Sequence, residues 1–479
     1  MTADVARTVA VIGGGVAGAV LAIKLSRARP QDRVWLIERD RRAGVGLAYG
    51  ACSPSMLLNV PVSRMELGLQ PRFAEWLRAE GGDLGEALEE SGGRLEEAFV
   101  PRALFGRYVE SRLQAALFGD PEHGLRRVRG EAVHLLEPPG RGVVLADGRT
   151  LPADVVVLAP GNPPPARLSA DDRAGLLESD VHAPDPWVAD AFADLPPGAS
   201  VLLVGTGLTA VDVALRLADD FGVERITAVS RNGRLPARHA PGGTWPRFWD
   251  SAPPATAHEA LRSLRAQLRA AQAARAPWQR VFDAARPDAA RVWRGWDLRQ
   301  RRAFLRRLRG RWDAHRHRMA PRIAARLDAL LAEGWLTVHA GGLRAIEPAQ
   351  GGALVRVRTR DGGEARLGPF HRIVNCTGPQ TDLKRSEDPL LASLRRAGLI
   401  RPDPLGLGLE TRRGAALDAE GDPSGWLYAV GPLTRPALWE VTAVPEINAQ
   451  IDVLVARLSE PETDRPELPL VFADLGAGI

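Results

Sequence analysis

Residues 201–217 read VLLVGTGLTAVDVALRL, and residues 9–27 read VAVIGGGVAGAVLAIKLSR. Each is an apolar run, a glycine turn and the start of an apolar helix, the order in which a βαβ unit builds a cradle for a dinucleotide. Gly13, Gly15 and Gly18 fill the G-x-G-x-x-G places of the earlier stretch; Gly205, Gly207 and Ala210 fill those of the later one. The first glycine permits a tight turn, the second lets backbone approach a pyrophosphate, and the third small residue lets the helix pack on its strand. Behind the turn, the helix N-terminus offers unpaired N–H groups and the positive end of its dipole. Two such units predict an α/β chain with two Rossmann-type dinucleotide-binding domains.

The strands that follow the two cradles end differently. RVWLIERD (33–40) carries Glu38, twenty residues after Gly18, with Arg39 beside it. A carboxylate there accepts the hydroxyls of an adenosine ribose and repels a 2′-phosphate. RITAVSRNGRLP (225–236) instead offers Ser230, Arg231 and Arg234. A guanidinium binds a 2′-phosphate with two parallel hydrogen bonds. The first cradle therefore suits an adenosine with a free 2′-hydroxyl, as in FAD or NAD, and the second suits NADPH.

The bulk numbers bound the remaining possibilities. The 479 residues, 45% hydrophobic and 25% charged, are ordinary for a globular chain of two or three domains. The first apolar run is broken by Gly13, Gly14 and Gly15, so neither a signal peptide nor an integral membrane segment is expected, and a cytoplasmic location is the default. Cys52 and Cys376 stand far apart with no CxxC, which argues against both a disulfide framework and a dithiol redox pair. His315 and His317, two apart on a helix, point about 200° away from each other and are not expected to share a metal ion.

Further stretches carry a family resemblance. DVVVLAPGN (154–162) is a strand ending at Gly161, followed by the rigid run Pro163–Pro165; HRIVNCTGP (371–379) is a strand ending in Thr377 and Gly378. WLYAVGPLTRPALWEVTAVPEINAQ (426–450) offers a strand ending at Gly431 and a helix beginning near Ala443 with Pro445 in its first turn. With GVGLAYG (44–50) and LLNVP (57–61), these resemble a bacterial group of FAD–NAD(P)-binding proteins, two-dinucleotide flavoproteins that include flavin hydroxylases. The resemblance implies FAD in the first cradle and NADPH in the second. It implies an FAD-binding domain formed by 1–165 and 349–479, and an NADPH-binding domain at 198–348. The implied activity is that of an FAD-dependent, NADPH-consuming monooxygenase, which takes up O2 and hydroxylates a small, anionic or nitrogenous metabolite through a flavin hydroperoxide. An NAD(P)H-dependent electron-transfer reductase is the alternative. Pro432 stands where relatives carry an Asp toward the ribityl chain. LLESDVHAPDPW (176–187) keeps only His182 and a displaced Trp187 from the Baeyer–Villiger pattern. In such enzymes the cofactor performs the hard chemistry, so few catalytic side chains are needed; Asn59 and Thr377 are the candidates near the flavin.

One segment falls outside these motifs. Residues 245–335 hold seven of the twelve tryptophans, and residues 255–330 hold nineteen arginines against six acids, although the whole chain has a net charge of only +5. Leu261, Leu264, Leu268 and Ala271 recur at helical spacing, and further helices are expected over 298–309 and 321–332. A helical insertion at 245–334 follows, either stapled by its own tryptophans or capping the flavin cleft with its arginines toward an anion. Arginine clustered with aromatics also fits nucleic acid, but no nucleic-acid-binding motif accompanies it, so none is expected as a partner. The oligomeric state is not encoded in any motif.

Overall fold

A computed structural model of the chain describes residues 6–50, 52–53, 55–118, 124–188 and 190–460; the expected domain ends at 1–5 and 461–479 lie outside these. Two seven-stranded sheets carry the architecture, each built around one cradle. In the first sheet Thr8–Ile12 lies between Arg33–Glu38 and Val155–Leu158, all parallel, with Gly124–Arg129 outside the former and Pro423–Ala429 outside the latter. In the second, Ser200–Val204 lies between Arg225–Ser230 and Arg372–Asn375, again parallel. Parallel strands need helices on both faces, so their sequences are continuous apolar runs rather than alternating ones. Val155–Leu158 and Ser200–Val204 are buried at every position. A small antiparallel sheet (Ala132–Leu136, Gly142–Leu145, Thr150–Pro152) forms the connection between the first sheet's strands Gly124–Arg129 and Val155–Leu158.

Each cradle helix is largely buried in its half. Val16–Ala28 buries Gly18 through Ile23 without a break and packs against the C-terminal helix Val444–Ser459. Leu208–Phe221 buries Ala210 through Leu215 and ends on Gly222 in the left-handed conformation, the usual stop for a helix because glycine has no Cβ to clash there.

The second sheet continues past the boundary expected at 348/349. Leu336–Ala349 is one fourteen-residue strand. Its first part pairs parallel with Arg225–Ser230, and its second part pairs antiparallel with Gly352–Thr359. Glu364–Phe370 and Arg372–Asn375 then extend the same sheet. The chain therefore returns to the first sheet only after Asn375, because the hairpin after Ala349 stays hydrogen-bonded to the strand that precedes it.

The helical insertion is also shorter than the expected 245–334. Pro321–Ala332 forms as predicted, but Ala324, Leu327 and Leu330 pack into the core of the second sheet. Trp335 joins that same core. The subdomain proper consists of Ala257–Ala273, Gln279–Ala285, Ala289–Gly295, Leu298–Arg307 and Arg309–Arg316. Thr256 and Asp297 cap two of these helices by accepting from Glu259 N and Gln300 N. Tryptophans fill its centre: Trp249, Trp293, Trp296 and Trp312 are buried with Phe282 and Phe304. Each of these four indole N–H groups finds an acceptor, on Ser263, Pro436, Pro254 and Glu440 respectively, which removes the cost of burying a polar tip. Two of those acceptors belong to the C-terminal part of the chain. Trp439 stacks on Trp293 with ring centroids 4.6 Å apart and is itself part of this core. The subdomain is thus inserted into the second domain by sequence and packed onto the first by contact.

Candidate functional site

A single cleft of about 2610 Å³ runs between the two sheets and under the helical subdomain. A pocket for one small molecule spans roughly 300–1,000 Å³, so this space is large enough for extended dinucleotides and a further ligand.

The first cradle opens into the cleft. Gly13 has φ +103°, and a Cβ there would stand 2.2 Å from the Ala159 carbonyl oxygen; a Cβ on Gly18 would stand 1.8 Å from that of Gly13. The turn is pressed between two strands and its own helix, and no side chain fits. Gly15 caps the helix Val16–Ala28 with no side-chain hydrogen bond, leaving the first-turn N–H groups without a side-chain acceptor. Glu38 closes the cradle: its carboxylate accepts from Gly14 N at 2.6 Å and from Asp40 N at 2.8 Å. Arg39 is exposed at the rim, 3.6 Å from Glu131. Gly161 and Gly378 line the cleft with positive φ and open space where a Cβ would be. Ala443 caps the C-terminal helix at the cleft wall, with Pro445 in the first turn. Gly431 lies behind the wall; its N–H donates to Gln450 and it packs toward Ala17. Uncapped N–H groups, a strand-end carboxylate and a collision-free floor of glycines form a donor set that fits a dinucleotide with a free ribose 2′-hydroxyl.

The second cradle repeats the turn. A Cβ on Gly205, φ +130°, would stand 2.3 Å from the Cys376 carbonyl oxygen. Gly207 caps Leu208–Phe221 without a side-chain partner, and Ala210 is buried against the sheet. Here the strand ends in hydroxyls: Ser230 Oγ lies 2.8 Å from Thr206 Oγ1, and Thr206 donates to the Arg234 carbonyl at 2.6 Å. Arg231 is exposed and Arg234 half-buried. None of these cradle residues lines the cleft; the helix reaches it through Leu208, Thr209 and Asp212.

Asp212 joins the two halves. Arg102, at the start of Arg102–Leu117, makes a two-pronged contact with it at 2.9 and 3.4 Å. Burial pulls the guanidinium pKa down, but the Asp212 charge more than offsets this and holds it above the ordinary arginine value.

The two residues expected at the reacting end fare differently. Asn59 lines the cleft and is half-buried. Thr377 does not line it: the side chain is exposed and its hydroxyl donates to Asn375 Oδ1 at 2.7 Å. A strand-end threonine is placed by its own turn, and this turn directs it away. His239 takes a place the sequence did not single out. It lies in the cleft wall, 5.2 Å from the Phe99 ring and hydrogen-bonded to the Asn59 backbone. Burial, reinforced by the neighbouring Arg318, pushes its pKa down to about 3, so it is neutral at physiological pH. His182 also reaches the cleft; Nδ1 is 2.8 Å from the Leu177 carbonyl and the buried Nε2 has no protein partner.

The other residues the sequence did not reveal form an ionic wall. Arg286 grips Glu446 with two nitrogens, Arg316 lies 2.9 Å from Glu440 and 3.5 Å from Glu446, and Arg318 pairs with Asp283. The arginine excess of 255–330 was visible, but Glu440 and Glu446 lie more than 120 residues beyond the arginines they meet, Arg286 and Arg316. The two cysteines are free, and burial raises the Cys376 thiol pKa, leaving it protonated and inert. His315 stacks on Phe282 rather than facing its sequence neighbour His317. Among the described residues, no cluster of His, Cys, Asp or Glu could hold a metal ion, and no helix is long and apolar enough to cross a membrane.

Comparison with known proteins agrees with this geometry. Residues 10–163 match the family model of FAD-NAD(P)-binding proteins. An L-aspartate N-monooxygenase (nitrosuccinate-forming) from Streptomyces cremeus is 28% identical over 280 residues, which cover 50% of this chain and 41% of that enzyme's length. The ornithine N-hydroxylase of Kutzneria sp. 744 superposes with a TM-score of 0.62 at 16% identity, covering 95% of this chain and 100% of that one. The cadaverine monooxygenase of Erwinia amylovora, solved with FAD, gives 0.64 at 13% identity over 97% and 98%. Residues 10–163 thus match an FAD-NAD(P)-binding domain, and the chain shares its overall fold with these solved structures.

Proposed function

We propose that the chain is an FAD-dependent, NADPH-consuming monooxygenase that hydroxylates a small, anionic or nitrogenous metabolite with O2. The observation that carries this reading is the pair of cradles: two copies of one turn, on two sheets, whose helices both reach a single cleft. In this reading Gly13, Gly15, Gly18 and Glu38 hold FAD, with Arg39, Gly161, Gly378, Gly431 and Ala443 beside it. Gly205, Gly207 and Ala210 hold NADPH, with Arg231 and Arg234 taking its 2′-phosphate.

Bound flavin, reduced by the nicotinamide, supplies the oxygen chemistry. The protein's own work is to hold, orient and exclude water. The uncapped start of Val16–Ala28 fixes the pyrophosphate, Glu38 orients the ribose, and Arg102 with Asp212 fixes one half against the other. The tryptophan-cored subdomain closes the third side of the cleft. A dry site strengthens each electrostatic contact within it. Neutral His239, held on the Asn59 backbone, contributes a polar edge without adding charge.

The test uses purified, FAD-loaded protein. NADPH oxidation is followed with and without O2 in the presence of small amines, amino acids and carboxylic acids, and hydroxylated product is assayed. The expected result is oxygen-dependent NADPH consumption with a substrate that lowers the H2O2 formed per NADPH. Equally fast NADPH-driven reduction of quinone or ferricyanide, with no hydroxylated product from any candidate, would replace it with the electron-transfer reading.

A further inference from the structure

The two halves of the cleft are joined at one point between the cradles. On the second cradle's helix, Leu208, Thr209 and Asp212 stand on one side, and all three line the cleft. Leu208 and Thr209 open that helix behind Gly207, where no side chain caps it, and Asp212 lies one turn further in. From the first domain, Leu58 and Asn59 line the facing part of the cleft. They belong to a short segment clamped to the start of Arg102–Leu117. Arg102 N donates to the Met56 carbonyl at 2.8 Å, and Leu58 N donates to the Val100 carbonyl at 2.9 Å.

One guanidinium spans the gap. Arg102 donates from Nη1 and Nη2 to Asp212 at 2.9 and 3.4 Å, and from Nη2 to the Leu57 carbonyl at 3.3 Å. The two side chains are 15% and 11% exposed. The Asp212 carboxylate has no other hydrogen-bond partner among the described residues. Such a pair is a weak source of net stability, because desolvating both charges offsets most of their attraction. What it provides is a fixed length and direction: a planar fork that meets a carboxylate at two points tolerates little sliding. Registry between two elements is the best-attested use of a buried pair.

We propose that Arg102 is a positioning residue for hydride transfer: by tying Asp212 to the Leu57 carbonyl, it sets the nicotinamide carrier of the second cradle at its working distance from the flavin of the first. This rests on the reading of the two cradles as FAD and NADPH sites. The hydride passes from nicotinamide to flavin, oxidising the carrier to NADP+ and reducing the flavin; Arg102 touches neither reacting atom. It acts through the two elements it joins. Asp212 moves with the helix start that would hold the carrier's pyrophosphate, and Leu57 moves with the cleft-lining residues Leu58 and Asn59. A change in the length of this link therefore shifts one site against the other without altering the groups that bind either dinucleotide.

The test uses variants that keep both charges and change only the span. Arg102→Lys shortens the link by one bond, Asp212→Glu lengthens it by one, and the double variant restores the original reach. None of them leaves a buried charge alone, so the fold and bound flavin are expected to survive in each. FAD-loaded protein is mixed anaerobically with NADPH, and bleaching of the flavin band is followed. Each single variant should lower the limiting rate about tenfold or more, since a misplacement of about 1 Å made far from the chemistry can cost about 100-fold. The NADPH concentration giving half that rate should stay within about twofold, and the double variant should recover to within about threefold of the native rate. Without turnover, NADP+ should perturb the flavin spectrum of the native protein and the double variant but not of the single variants, while calorimetry finds its affinity within about twofold throughout. A merely structural pair would change melting temperature and flavin content and leave these readouts alone. Native limiting rates in both single variants, a loss confined to NADPH affinity, or a double variant no faster than the single ones would overturn the positioning role. Native protein that NADPH does not bleach would instead sink the cradle assignment, and with it this role. Native bleaching without any hydroxylated product would sink only the monooxygenase reading and leave the role of Arg102 standing.

Discussion

In the first cradle a Cβ on Gly13 would stand 2.2 Å from the carbonyl oxygen of Ala159; in the second a Cβ on Gly205 would stand 2.3 Å from that of Cys376. In both, that carbonyl ends or follows the strand that pairs alongside the cradle strand. The two turns are thus the same object built twice. What differs is the surroundings. In the first, the helix is pressed so close that a methyl at Gly18 would meet backbone at 1.8 Å, whereas the second accommodates Ala210. The first ends in a carboxylate that ties back to its own loop; the second ends in hydroxyls followed by arginines. The first faces the cleft with Gly13 and Gly15 of its loop, the second with one side of its helix. In the proposed reading, the shared turn provides pyrophosphate binding in general, and the residues around it decide which dinucleotide binds and how readily it exchanges. In the proposed reading, a resident flavin occupies the enclosed cradle and an exchanging carrier the open one.

Alanine substitution at the first glycine of each turn is the strongest way to break this comparison. Gly13→Ala places a Cβ against backbone at a left-handed φ, and purified protein is expected to lose its flavin almost completely. Gly205→Ala has equal local strain, yet is expected to keep a near-stoichiometric flavin:protein ratio while NADPH affinity falls about 100-fold, or about 2.7 kcal/mol. Absorbance at the flavin band and the rate of NADPH-driven bleaching read both. If Gly205→Ala loses flavin and keeps NADPH, the assignment of the two cradles is reversed.

A smaller effect sharpens the contrast between strand ends. Arg231→Gln should raise the NADPH KM about tenfold, about 1.4 kcal/mol, and leave the NADH KM within twofold, because only the phosphorylated carrier loses a charge-assisted contact. Equal losses for both carriers would show that Arg231 does not read the 2′-phosphate.

The smallest effect probes the wall between the cradles. Burial and Arg318 hold the His239 pKa at about 3, far below its ordinary value of 6.5. Between those values the unfolded chain takes up a proton that the folded protein refuses. Stability is therefore lost as pH falls from about 6.5 toward 3, with a slope of at most about 1.4 kcal/mol per pH unit from this one group. His239→Asn should flatten the melting temperature against pH in that window, measured by calorimetry; an unchanged slope would show that His239 is already solvated.

What could be read from the chain was local. The turn of each cradle is specified within ten residues, because glycine is demanded by backbone geometry that the sequence itself creates. The strand-end positions of Glu38, Arg231 and Arg234 follow at distances set by one helix and one strand, so these positions too were legible, as were the helices of the insertion and the C-terminal helix start at Ala443. Thr377 was misjudged because its hydroxyl is taken by Asn375, two residues back, a choice made by the turn's geometry and not by residue type. The domain boundary at 348/349 fell inside a sheet because Leu336–Ala349 changes partner midway without changing character. The destination of the helical subdomain was beyond any local pattern. Its tryptophans could stack on one another or on something else; that they close on Trp439, and that Arg286 and Arg316 meet Glu446 and Glu440, is settled by a contact spanning more than 120 residues. Sequence determined the two glycine turns because each is one short stretch of chain folding on itself. Tertiary structure alone decided the charge of the cleft, because a buried charge is defined by its neighbours, and these come from the far end of the chain.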